Sequence, residues 1–239
     1  MATAAGLTTT GLLRGNNEDC AAVDGLVLAE DTPTTFPIGE GRHLLVLADG
    51  IGGYEHGEIA SRAAVDALSR MAPHLTDEDA CIESVRAANS VLYAMMRRDR
   101  SLIGMGTTIV GVTILDTRAI WFNVGDSRAY QFRGGLRQLT TDHVPAARMP
   151  DGQRSHTLTQ WLGGIEENEE LYPEVGSIEI APGDKLLLCS DGLTDVVADE
   201  EIARLLARDA GPESTVRRLA DEVLSRGAPD NVAVLLAAF

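Results

Sequence analysis

The sequence predicts an α+β layered domain, with sheets packed together and helices outside. Strand-rich and helix-rich stretches follow one another as blocks, not strand by strand, which argues against a doubly wound fold. Three short apolar runs also touch an aspartate: Leu44 to Ala48 before Asp49-Gly50, Leu186 to Cys189 before Ser190-Asp191-Gly192, and Val232 to Leu236 after Asp230-Asn231. Runs of that length bounded by turn residues read as buried strands.

Taken in order, Gly6 to Gly11 reads as a first strand or turn, followed by Arg14-Gly15-Asn16-Asn17-Glu18-Asp19. Ala21 to Ala29 is apolar enough for a strand. Asp31 to Arg42, with Pro33 and Pro37, reads as a surface loop. His43 to Ala48 is the first core strand and delivers Asp49. Gly50, Gly52, Gly53 and Gly57 then form a turn in which backbone can approach a ligand. Glu58 to Met71 is a helix stopped by Pro73, with Ile59, Ala63, Ala67, Leu68 and Met71 at helical spacing. Asp77 to Arg98 is a second, with Ile82, Val85, Ala88, Val91, Leu92, Met95 and Met96 on its apolar side. The period then becomes two: Thr107 to Leu115 and Ala119 to Val124 form a hairpin about Asp116-Thr117, and Gly125 to Arg128 turns into a strand over Ala129 to Phe132. Thr140 to Val175 is the least regular stretch and reads as a mobile surface segment or lid. Strands return at Ser177 to Ala181 and Lys185 to Ser190, followed by a short helix over Leu193 to Val197. Helices over Glu200 to Arg208 and Glu213 to Arg226 precede the last strand, which ends at Phe239. No linker divides 1–239, so one domain is expected.

Composition narrows the function. A net charge of −16 argues against nucleic acid or an anionic membrane as partner. Cys20, Cys81 and Cys189 are widely spaced with no CxxC and read as core thiols in a reducing, cytoplasmic compartment. Met1 to Thr10 has no signal-peptide pattern, and no apolar run is long enough to span a bilayer. A monomer is expected.

Asp-Gly alone is ordinary turn chemistry. Three aspartates at the ends of buried strands, with Asp126 at a fourth strand end, call for more. If the strand after Asp230 runs antiparallel to the other two, Asp49, Asp191 and Asp230 reach the same rim of one sheet. Ionised together there, they need a cation. The candidate ligands Glu18, Asp19, Asp49, Asp126, Asp191 and Asp230 offer oxygen only, and none of the five histidines has HxxxH or HxH spacing. Such a set selects Mg²⁺ or Mn²⁺ over zinc. Two such ions can activate water and polarise a phosphoryl oxygen together. Arg14 adds a planar fork suited to a phosphate dianion.

Arg14-x-x-x-Glu18-Asp19, Asp49-Gly50-x-Gly52-Gly53, Gly106-Thr107-Thr108, Gly125-Asp126-Ser127-Arg128, Ser190-Asp191-Gly192-Leu193-Thr194-Asp195 and Asp230-Asn231, in this order, resemble the protein phosphatase 2C (metal-dependent PPM) family. The bacterial branch is the nearer likeness, because Asp49-Gly50-Ile51-Gly52-Gly53 has its DG-hydrophobic-GG form. The resemblance implies a four-layer α/β/β/α sandwich of two mainly antiparallel sheets with helix pairs outside, and a short flap within about residues 142–170. It implies hydrolysis of phosphoserine and phosphothreonine in proteins by in-line attack of a hydroxide bridging two Mn²⁺ or Mg²⁺ ions. By the same resemblance, Asp49 bridges both metals, the Gly50 carbonyl binds one, and Asp191 and Asp230 hold the other. Glu18 and Asp19 orient metal-bound water, Asp126 with Asp191 holds a weaker third ion, and Arg14 grips the substrate phosphate. Phosphorylated proteins, and a serine/threonine kinase that makes them, are the implied partners.

Three positions depart from the family pattern. Ile51 stands where animal members carry a histidine proposed as general acid, and Tyr54 where many bacterial members carry one. Gln160 stands where arginine is common. Two other readings of the resemblance are a catalytically weak, partner-binding regulator and a small-molecule phosphoesterase. The intact aspartates argue against the first.

Overall fold

The computed structural model describes residues 2–51, 56–145, 157–165, 170–208 and 210–239. In chain order the first strands are β1 (Ala2–Thr9), β2 (Asp19–Val23), β3 (Leu26–Val27), β4 (Thr34–Ile38) and β5 (Arg42–Asp49). Helices α1 (Gly57–Met71) and α2 (Glu78–Arg98) follow. Then come β6 (Gly106–Thr107), β7 (Ile109–Leu115), β8 (Arg118–Val124), β9 (Arg128–Phe132), β10 (Leu136–Gln138), β11 (Leu162–Gly163), β12 (Glu174–Glu179) and β13 (Lys185–Cys189). The chain closes with α3 (Asp191–Thr194), α4 (Asp199–Leu206), α5 (Pro212–Ser225) and β14 (Val232–Ala238).

Two six-stranded antiparallel sheets result, ordered β10-β9-β13-β14-β1-β4 and β12-β8-β7-β5-β2-β3, and β11 pairs with β6 beside them. Three apolar layers fill the spaces. Leu44, Val46 and Ala48 of β5 pack with Ala64, Leu68, Val85 and Leu92 of α1 and α2. The alternate residues Leu45 and Leu47 face Ala233, Leu235 and Leu188 of the other sheet. Val232, Val234 and Leu236 of β14 pack on Ile202, Val216 and Leu219 of α4 and α5. The expected four-layer α/β/β/α sandwich is therefore the fold. Both faces of β5, β13 and β14 are covered, which is why their sequences read as continuous apolar runs instead of alternating ones.

Several expected elements change. Asp31 to Arg42 is not all loop: β4 pairs with the edge of β1, and Pro37 is tolerated because an edge strand leaves one row of groups unpaired. Ala21 to Ala29 is not one strand. It folds back at Asp24-Gly25, both at positive φ, so Val23 stands opposite Leu26, the geometry of a two-residue hairpin turn. The short helix begins at Asp191, ahead of the expected Leu193. In α1 the buried stripe runs through Ala60, Ala64, Val65, Ala67 and Leu68, with Ile59 and Ala63 at its margin. Val91 of α2, expected inward, is exposed, and Tyr93 is buried in its place. The three cysteines are free and buried, as expected. Much of the expected flap lies outside the described residues.

Candidate active site

The three strand-end aspartates do not share the rim of one sheet. Asp49 ends β5 in one sheet, whereas Asp191 follows β13 and Asp230 precedes β14 in the other. They meet because the sheets are stacked with these ends together. With them, Arg14, Glu18, Gly50 and Asp126 line one open basin of about 340 Å³, together with Ile51, Thr108, Leu158 and Asp195. Asp19 lies outside the lining, directly opposite Asp49 in the β2–β5 ladder.

Each side chain has a local reason for its place. The Asp49 backbone is held from three directions: its N–H donates to Thr108 Oγ1 at 3.0 Å, and its carbonyl accepts from Thr107 Oγ1 and the Thr108 N–H, both at 2.8 Å. Gly50 must be glycine, since a Cβ there would come within 2.5 Å of the Gly57 carbonyl at the start of α1. Ser190 Oγ donates to Asp19 Oδ2 at 2.8 Å and accepts from the Ala233 N–H. Asn231 accepts the Glu18 N–H at 2.9 Å and donates to the Thr10 and Asn16 carbonyls. Asp126 sits on a turn whose Gly125 N–H donates to His143 Nδ1 and whose Gly125 carbonyl accepts the His143 N–H.

The electrostatics are those of crowded, desolvated carboxylates. Like charges directly opposite on paired strands are destabilising, yet Asp19 and Asp49 are so placed. Burial pushes Asp19 up to about 8, with the charges on Asp191 and Asp230 acting the same way. Burial, then the charge on Asp191, pushes Asp126 up to about 7. Asp49 is driven well above the usual carboxylate range by burial and by Asp19, Asp191 and Asp126. Glu18 is raised by burial and by Glu58. Without a cation, this group must hold protons that a cation would displace.

The donor set fits a hard divalent cation. It consists of carboxylate oxygens and the Gly50 carbonyl, and Asp19 Oδ1 is buried with no hydrogen-bond partner. Among the described residues, no three His, Cys, Asp or Glu side chains converge closely enough to hold a metal ion as they stand. Water has to complete the coordination, as is usual for Mg²⁺. At the rim, Arg14 Nη2 donates to Asp230 Oδ2 at 2.6 Å, with both side chains exposed. The sequence reading gave no role to Thr108, Ser190, Asn231 or Asp195. Each stood inside a quoted motif, but what they do depends on contacts across the sandwich.

Acidic side chains from both sheets and the Arg14 guanidinium thus share one basin whose oxygen donors suit a hard divalent cation. The protein phosphatase 2C profile matches residues 29–236, and the chain belongs to that family. It is 35% identical to the serine/threonine protein phosphatase PstP of Mycobacterium tuberculosis, over 95% of this chain and 43% of PstP, so it spans less than half of that relative. It is 30% identical to the protein phosphatase PhpP of Streptococcus pneumoniae, over 96% of this chain and 94% of PhpP. The crystal structure of the PstP catalytic domain in complex with two manganese ions superimposes with a TM-score of 0.80 at 31% identity, covering 100% of this chain and 99% of that one. No described helix is long and apolar enough to cross a membrane.

Proposed function

We propose that this chain hydrolyses phosphoserine and phosphothreonine in proteins with the help of two Mn²⁺ or Mg²⁺ ions, reversing a serine/threonine kinase. The observation that carries the reading is the meeting of Asp49, Asp126, Asp191 and Asp230, drawn from both sheets, on one basin with Arg14 at its rim. Asp49, the Gly50 carbonyl, Asp191 and Asp230 would hold the two ions, and Asp126 with Asp191 a weaker third. When bound, such ions supply an activated water and neutralise charge on the phosphoryl oxygens.

The protein's own groups do the rest. Glu18, on the lining, and Asp19, buried opposite Asp49, would orient water from behind the ions. Arg14 is bound to a lone carboxylate at the exposed rim. A phosphate dianion offers it two charge-assisted hydrogen bonds, so the guanidinium turns from Asp230 to the substrate. Among the described residues, no histidine lines the basin, and Ile51 does. The buried free thiols support work in the cytoplasm.

The test is turnover of p-nitrophenyl phosphate with and without Mn²⁺, followed by phosphoserine and phosphothreonine peptides. Mn²⁺-dependent release of phosphate from both substrates is expected. Turnover of the small ester without turnover of any phosphopeptide would leave a small-molecule phosphoesterase instead.

A further inference from the structure

Leu12 and Leu13 are 61% and 74% exposed, the only adjacent pair of large apolar side chains so exposed among the described residues. Single exposed leucines are common and need no explanation. This pair immediately precedes Arg14, the basin's rim guanidinium. It is also held in place by the backbone around it. The Leu12 N–H donates to the Ala228 carbonyl at 3.0 Å, and Asn231 donates to the carbonyls of Thr10 and Asn16 on either side, at 2.9 Å each. Gly11 has φ +77°, and a Cβ there would come within 2.3 Å of the Asp230 carbonyl. The loop is therefore fixed to the strand end that carries Asp230, and the two leucines face water from a rigid base.

We propose that Leu12 and Leu13 bind an apolar side chain flanking the phosphorylated residue of a protein substrate and so select apolar phosphorylation sites; this rests on the protein phosphatase reading above. The occupant follows from reach. Leu13 directly precedes Arg14, its Cα about 3.8 Å away, so a substrate whose phosphate reaches Arg14 carries its flanking residues toward the same loop. A fixed apolar surface costs little ordering on binding. The lining supplies the opposite selection, because Glu18, Asp191, Asp195 and Asp230 oppose acidic flanking residues.

The experiment compares wild type with the double variant Leu12→Ser/Leu13→Ser on phosphothreonine peptides carrying Leu, Ser or Glu at each of the two places before and after the phosphothreonine. Wild type should prefer Leu over Ser by roughly 5- to 10-fold in kcat/KM at one or more places, mostly through KM, and disfavour Glu. The double variant should lose that preference while retaining wild-type turnover of p-nitrophenyl phosphate and its melting temperature. Leu13→Phe should retain the preference. Equal use of Leu and Ser peptides by wild type, or a preference that survives in the double variant, overturns the proposal with the phosphatase reading intact. Mn²⁺-dependent turnover of p-nitrophenyl phosphate but of no phosphopeptide overturns both. A change in oligomeric state by light scattering in the double variant, with peptide preference unaltered, would make the pair a contact between copies of this chain instead.

Discussion

The basin has a floor and a rim, and the two are built differently. On the floor, Asp49 and Asp126, with Asp19 buried opposite Asp49, are desolvated, held by backbone and hydroxyl hydrogen bonds, and pushed toward their protonated forms. On the rim, Arg14 and Asp230 face water and neutralise each other at 2.6 Å. A surface pair of this kind contributes roughly 0–1 kcal/mol and exchanges partners easily. The floor stores repulsion that protons relieve in the metal-free protein and a cation would relieve in their place, whereas the rim pair is open to exchange with an arriving anion. Catalytic power should therefore depend on the floor together with Asp230, and substrate affinity on Arg14.

The largest effect is expected at the floor. Asp49→Asn should lower Mn²⁺-dependent turnover of p-nitrophenyl phosphate by roughly 1,000-fold or more, since it removes a central carboxylate of the set that would hold the ions. The metal-free variant should nevertheless melt higher than metal-free wild type, because a crowded buried carboxyl that resists ionisation has gone. A variant that lost activity by unfolding would break the contrast.

Asp126 tests the edge of the floor. Asp126→Ala should reduce turnover by roughly 10- to 100-fold, about 1.4–2.7 kcal/mol of barrier, and lose only a weak third Mn²⁺ site. If Asp126 merely shapes its turn, the variant would melt lower but keep its activity per molecule and its Mn²⁺ titration.

On the rim, Arg14→Ala should raise KM for phosphate esters roughly 10-fold with a smaller loss in kcat. The ion pair adds a consequence that the sequence did not suggest. With its competitor removed, Asp230 should bind Mn²⁺ up to roughly 5-fold more tightly by calorimetry. Collapse of Mn²⁺ binding would make Arg14 a structural residue and its phosphate role wrong.

The smallest effect is on stability. Asp19 and Asp126 are raised above the usual unfolded-state value near 3.8, to about 8 and about 7. Between those limits the folded protein binds more protons than the unfolded chain, so raising the pH lowers stability. The metal-free protein should therefore melt lower at pH 8 than at pH 5.5, by roughly 5 °C. Saturating Mn²⁺, which requires the ionised carboxylates, should flatten or reverse that slope. A metal-free melting temperature that does not fall from pH 5.5 to pH 8 would contradict the floor's protonation.

Much of this was legible in the sequence, for physical reasons. β5, β13 and β14 announced themselves because strands covered on both faces are apolar throughout, and turn residues mark their ends. The edge strand β4 was not legible: one of its sides is unpaired, so Pro37 breaks no ladder there and the stretch looks like a loop. The Asp24-Gly25 hairpin left its usual signature, overridden by the apolar run around it. The acidic candidates and Arg14 could be named, yet their division between two sheets could not, because that depends on how the sheets stack. Asn231 and Ser190 follow the same rule. Their partners, Glu18 and Asp19, lie more than 170 positions away in the chain.

The most direct test of the floor as a cation site is calorimetric titration of the chelator-treated protein with Mn²⁺ at pH 7.5, run alongside turnover. The account predicts two tight sites and one weak one, proton release on filling the tight pair, and no turnover until that pair is filled. Turnover that persists after exhaustive chelation, or filling of the tight sites with no proton released, would contradict it.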